Sequence, residues 1–220
     1  MSWNKCLYAY HQTHGGQLLA GEARDGLLVF TWKDQPLIVD LSNADTGKSF
    51  TVNFVRARIP VTLARPYTLT IGSEKATSGG VNMLLRALPG LPVSAALPAD
   101  FGYPEITKKR LIRSNDHNFT KLTLGSLDLR SALAACPEDR VELHPGPGDE
   151  GRHLITVITD HSVDSSSGDG NWHLGEFDGI DCACNDAQMA QRIAESFFPR
   201  MDRFLGLCKA AYSAVTQWRM

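Results

Sequence analysis

The chain predicts an α+β fold: a mainly antiparallel sheet, made of an N-terminal meander and a C-terminal hairpin, with helices packed on it and a long kinked C-terminal helix. Three observations carry this expectation. Apolar residues recur with a strand period through much of 26–71, they recur with a helical period through 185–215, and strands and helices do not alternate as a parallel sheet requires. The 220 residues are 43% hydrophobic, and a chain of this size buries roughly 70% of the surface its unfolded form exposes.

The first element is a short helix, because Trp3, Cys6, Leu7 and Tyr10 follow the i, i+3, i+4, i+7 rule and Gly15-Gly16 ends the run. From Gly26, LLVFTW, a KDQP turn, LIVDL, a polar NADTGK turn and SFTVNFVRARI read as three strands of a meander. In the third, the apolar phase passes from Phe50, Val52 and Phe54 to Val55, Ala57 and Ile59, which predicts a β-bulge at Phe54-Val55. A fourth strand, YTLTI at 67–71, leads into a helix carrying Val81, Leu84, Leu85 and Leu88.

Four prolines punctuate 89–104, an apolar stretch without period that is expected to lie over the fold as a connector. The chain is expected to form one compact domain over 1–220, and a division into 1–88 and 105–220 would fall at this connector. Beyond it, KRLIRS reads as a strand. Asp116 or Asn118 can cap a helical stretch holding Phe119, Leu122, Leu129, Leu133 and Cys136, with Gly125-Ser126 dividing it and Ser126 as the second cap. RVELH and HLITVITD flank PGPGDEG and form a hairpin. Leu154, Ile155, Val157 and Ile158 put apolar groups on both faces, so the second strand should be central, and Ile158→Asp should abolish folding. Residues 162–171 are turn-rich and read as an exposed loop. The last helix opens at Asn185 or Asp186 and carries Met189, Ile193, Phe197, Phe204, Leu205, Cys208, Tyr212 and Val215, with a kink or break at Pro199.

Composition excludes several functions. With 22 basic and 24 acidic residues, the chain has no field to draw it to a phosphate backbone, so nucleic acid is not an expected partner. No apolar run approaches the roughly 18 residues of a membrane helix, so no membrane contact is expected. Five cysteines at irregular spacing read as reduced thiols and place the chain in the cytoplasm.

The residues 160–186 are the densest in metal-ligand types. Zinc asks for about four His, Cys or carboxylate ligands. His161, His173, Cys182 and Cys184 are the candidates, with Asp160 or Glu176 as base of a metal-dependent hydrolase. The spacing lacks the paired knuckles of structural zinc sites, and buried thiols beside a solvated acidic loop account for the same residues. His11 and His14, one turn apart, lack the glutamate of a metalloprotease. His117, His144 and His153 lie at element ends, with His144 and His153 facing each other across the hairpin. The basic groups Lys108, Lys109, Arg110 and Arg113, and Arg56, Arg58 and Arg65, read as solvated strand faces suited to an acidic partner.

No nucleotide loop, nucleophile elbow or cysteine-protease signature is intact. The leading reading is therefore a non-catalytic binding or assembly module without a cofactor. Its partner is a protein or small ligand, met through the sheet edge or an apolar groove near the Pro-rich segment. Trp3, Tyr10, Trp172 and Trp218 are candidate anchors. Phe198 beside Phe197 gives the last helix a second apolar face that would suit pairing with another copy. The competing reading is the zinc hydrolase.

Overall fold

The computed structural model describes residues 2–21, 24–45, 51–74, 101–146, 151–159, 172 and 186–218. These form one eight-stranded sheet in the order β1-β2-β3-β4-β8-β7-β5-β6. The strands are β1 (Gln17–Gly21), β2 (Arg24–Trp32), β3 (Gln35–Asp45), β4 (Thr51–Thr62), β5 (Leu69–Ile71), β6 (Ile112–Ser114), β7 (Asp139–Pro145) and β8 (Arg152–Thr159). Every pairing is antiparallel. The described helices are α1 (Ser2–His14), α2 (Pro104–Thr107), α3 (His117–Leu124), α4 (Leu127–Ala135) and α5 (Asp186–Thr216). The α+β class, the meander, the C-terminal hairpin and the long last helix are as the sequence predicts.

Register separates the two faces. Leu18, Leu28, Val39, Ala57, Val157, Val141, Ile71 and Ile112 stand side by side across all eight strands. The adjacent row on the other face is Gln17, Val29, Ile38, Arg58, Thr156, Glu142, Thr70 and Arg113. Such alternation leaves the helices one face to cover. Leu129 of α4 and Ala211 and Val215 of α5 share a packing space with Ile71, Val141, Leu143 and Ile155. At the β1 end, α1 docks on β2 at Gly26, where Trp3 Nε1 donates to the carbonyl (2.9 Å) and Asn4 Oδ1 accepts from the amide (2.6 Å). A Cβ on Gly26 would stand 2.9 Å from that Asn4 oxygen and 3.1 Å from the Ala20 Cβ, so any larger residue would have to displace the Asn4 side chain from its hydrogen bond.

Two buried guanidiniums tie the helices to β7. Arg200 of α5 forms a two-pronged bridge to Asp139 (2.8 and 2.6 Å), and its plane lies 4.8 Å from the Trp172 ring centroid. Burial pushes the Asp139 carboxyl up and the Arg200 fork restrains the rise. Arg110 donates to the carbonyls of Gly72, Leu133, Cys136 and Asp139 at 2.6–3.2 Å. Leu133 and Cys136 lie at the C-terminal end of α4, where their carbonyls also accept from the amides of Cys136 and Asp139 at 3.2 Å each.

Several expectations are corrected. The β3–β4 register runs without a shift from Asp45↔Thr51 to Ile38↔Arg58, so there is no bulge at Phe54-Val55. The phase change instead puts half-buried Phe54 on the outer face. β1 goes unforeseen because QLLAG does not alternate, and 104–107 is a helical turn. The fourth strand is shorter than predicted and pairs with β6 and β7, and β4 pairs with β8. The last helix runs continuously through Pro199, so there is no break. Strand β8 is central, yet Ile158 lies half-buried on the outer face between Arg56 and Arg140. A carboxylate there would meet two cations, and the expectation for Ile158→Asp reverses. The helix at 81–88, most of the connector 89–104 and the loop at 162–171 lie outside the described residues.

Candidate functional site

A groove is built where the ends of three helices meet. Asp116 caps α3, its carboxylate accepting from the Phe119 amide at 2.9 Å, and Ser126 caps α4 by accepting from Leu129 at 3.3 Å. Gly125 lets the chain turn between them. A Cβ there would stand 2.9 Å from the Leu122 carbonyl and 3.1 Å from the Tyr103 hydroxyl, so the glycine makes room for Tyr103 to close one wall. Arg130 holds that wall from behind. Its guanidinium lies 4.5 Å from the Tyr103 ring centroid, donates to the carbonyls of Leu124 (2.8 Å) and Gly125 (3.1 Å), and bridges to Glu105 at 3.2 Å.

Trp218, just past the end of α5, also lines the groove, and Leu122 and Leu127 complete the apolar surface of a space of about 720 Å³. Lys121 and Asp128 give the rim one charge of each sign, and Asn118, Ser126 and Gln217 add neutral hydrogen-bonding groups. Among the described residues five large apolar side chains are exposed, and three of them, Leu122 (44%), Leu127 (67%) and Trp218 (41%), line this groove. Clustering is the informative fact, since singly exposed apolar residues are ordinary.

His161, His173, Cys182 and Cys184 lie outside the described residues, as do Asp160 and Glu176. Among the described residues no group of three His, Cys, Asp or Glu side chains is placed to hold a metal. His14 stacks on Tyr10 with ring centroids 4.0 Å apart, and its Nε2 is 3.8 Å from Asp202. Burial and the hydrogen bond to Asp202 both push the Tyr10 phenol up, keeping it a donor. His117 stacks on Phe101.

His144 and His153 do not face each other, because His144 pairs with Leu154 and His153 with Pro145 on alternate faces. His153 is buried. Its Nε2 accepts from the Tyr67 amide, so Nδ1 carries the proton and donates to the Gly151 carbonyl at 3.0 Å. Buried Cys136 and Cys208 are protonated thiols, pushed up to about 12 by burial, and thiolate chemistry needs the opposite.

The basic group at 108–113 is not one solvated face, since Arg110 is buried on carbonyls. Arg56 and Arg58 share Asp40, with Arg56 bidentate at 2.9 Å on both arms. Of the candidate anchors, Trp3, Tyr10 and Trp172 are core and only Trp218 is exposed. Phe198 packs edge-on against Tyr10 and His14 of α1. Leu122 is exposed although the helical period groups it with buried Phe119 and Leu129, and Leu127 falls outside that period. Their signal in the sequence is a Leu on each side of the Gly125-Ser126 break, where a change of helix axis turns one apolar stripe into two.

Compared with known protein families, curated proteins and solved structures, the chain matches none of them. None of the described helices is long and apolar enough to cross a membrane.

Proposed function

We propose that this protein is a non-catalytic binding or assembly module and that the groove between Tyr103 and Trp218 receives the apolar side chains of a protein partner. The convergence of Leu122, Leu127 and Trp218 on one groove with a pre-set aromatic wall supports the reading. A contact of this kind takes its affinity from a few large side chains in a desolvated centre with a polar rim. Leu127 at the start of α4 and Trp218 after α5 supply such a centre, and Lys121 and Asp128 lie at the rim. Among the described residues the cysteines Cys6, Cys136 and Cys208 are buried in the core, which supports a place in a reducing compartment such as the cytoplasm.

The test is a titration with an environment-sensitive apolar dye, bis-ANS, followed by fluorescence. One saturable site on the folded protein is expected, weakened roughly tenfold in both Leu127→Asp and Trp218→Ala, each a loss of about 1.4 kcal/mol in dye binding. Equal dye binding by the wild type and both variants would overturn the assignment of the groove.

A further inference from the structure

The β2–β3 hairpin closes on Lys33 and Asp34, both left-handed, with φ of 49° and 62°. A tight hairpin turn needs that conformation, and Asn-Gly adopts it more easily than residues with longer side chains do. The lysine reaches α5 from this position. Its Nζ donates to Ser213 Oγ at 3.2 Å and lies 5.9 Å from the Trp32 ring centroid and 6.0 Å from that of Tyr212. From α5, Lys209 Nζ comes over the same Trp32 ring at 4.9 Å.

Two ammonium groups therefore share one indole. Among the described residues neither pairs with a carboxylate, and Asp34 beside Lys33 forms no ion pair. The Trp32 Nε1 is buried without an acceptor. An aromatic face attracts each cation but does not remove the repulsion between them. A bound oxyanion would, and it would accept from both ammoniums and from the Ser213 hydroxyl.

We propose that Lys33, Lys209 and Ser213 form a binding site for a phosphate-type oxyanion at the tip of the β2–β3 hairpin. The shared chemistry is a tetrahedral dianion, carried either by free phosphate or by a phosphate monoester. The site rests on observations separate from those that define the groove. Asp34 opposes the anion, which makes its removal informative.

The experiment is isothermal titration of the full chain with inorganic phosphate and, separately, with phenyl phosphate, at ionic strength matched with sodium chloride. Saturable binding is expected for at least one of them. The double variant Lys33→Asn, Lys209→Gln should bind roughly tenfold more weakly or not at all, and Asn tolerates the left-handed turn. Asp34→Asn should tighten binding several-fold, a gain that a misfolded variant could not give. Preference for phenyl phosphate would assign the site to a phosphorylated molecule, and equal or stronger binding of phosphate to the free ion. No saturable binding of either anion, or equal binding by wild type and double variant, would overturn the site.

Discussion

Replacing Arg110 by Met keeps the length and most of the apolar stem while removing the group on which four backbone carbonyls converge. The carbonyls of Gly72, Leu133, Cys136 and Asp139 accept at 3.2, 2.6, 2.7 and 2.8 Å, and the side chain is 2% exposed. A buried acceptor left without a donor costs about 1–3 kcal/mol. The Leu133 and Cys136 carbonyls keep the amides of Cys136 and Asp139, at 3.2 Å each, and local relaxation and entering water recover part of the rest, so Arg110→Met should lose about 2–4 kcal/mol, set against a native stability of about 5–15 kcal/mol. Arg110→Lys keeps the charge but offers one ammonium in place of a planar fork, and should lose about half as much. Urea denaturation followed by far-UV circular dichroism measures both. A loss below about 1 kcal/mol for Arg110→Met would refute the claim that this guanidinium ties the end of α4 to β5 and β7.

Other outcomes follow from the two faces of the sheet and from its buried groups. Val157→Asp should abolish cooperative melting, because the carboxylate would enter the apolar inner row, whereas Ile158→Asp, set between Arg56 and Arg140, should cost about 1 kcal/mol or less. Burial pushes the Glu142 carboxyl up, but its hydrogen bond with His144 and the charge of Arg140 outweigh burial and hold it below the usual range. A depressed carboxylate contributes stability above its unfolded value, about 4.3, that is lost as pH falls through its folded value. Glu142→Gln should therefore narrow the stability difference between neutral and acidic solution, and parallel pH-dependent melts would show an unchanged difference if the network were idle. With Cys182→Ser and Cys184→Ser in place, the native protein should react slowly with a thiol reagent and release three thiols on unfolding, and fast native reaction would contradict the burial of Cys6, Cys136 and Cys208. Leu127→Asp should leave thermal stability within about 0.5 kcal/mol of the wild type, since the side chain is exposed, and a large loss by calorimetry would make it a core residue.

Periodicity carried the parts of the fold in which one face is buried and the other is not. α1, the β2–β3–β4 meander, the β7–β8 hairpin and α5 are legible because each keeps an unbroken row of apolar residues on the side that is buried. β1 is not, because an edge strand of five residues with no alternation has little local pattern, and its place comes from pairing with β2. The strand order, with β4 beside β8 and β5 beside β7, depends on contacts far apart in sequence and leaves no local trace. The groove was half legible. The sequence offers an apolar groove near the Pro-rich segment and Trp218 as a candidate anchor, but only packing shows that Leu122 is left outside the core and that it lines one groove with Leu127 and Trp218. Arg110 misled for the same reason: a basic residue among basic neighbours reads as surface, and its burial depends on carbonyls brought from three other elements.

Selection of displayed peptides on the immobilised full chain, with Leu127→Asp and Trp218→Ala as counter-targets, tests the binding reading most directly. The account predicts enriched peptides that share large apolar anchors and bind the wild type at least roughly tenfold more tightly than either variant. Enrichment of peptides that bind all three proteins alike, or no enrichment at all, would contradict the groove as the functional surface.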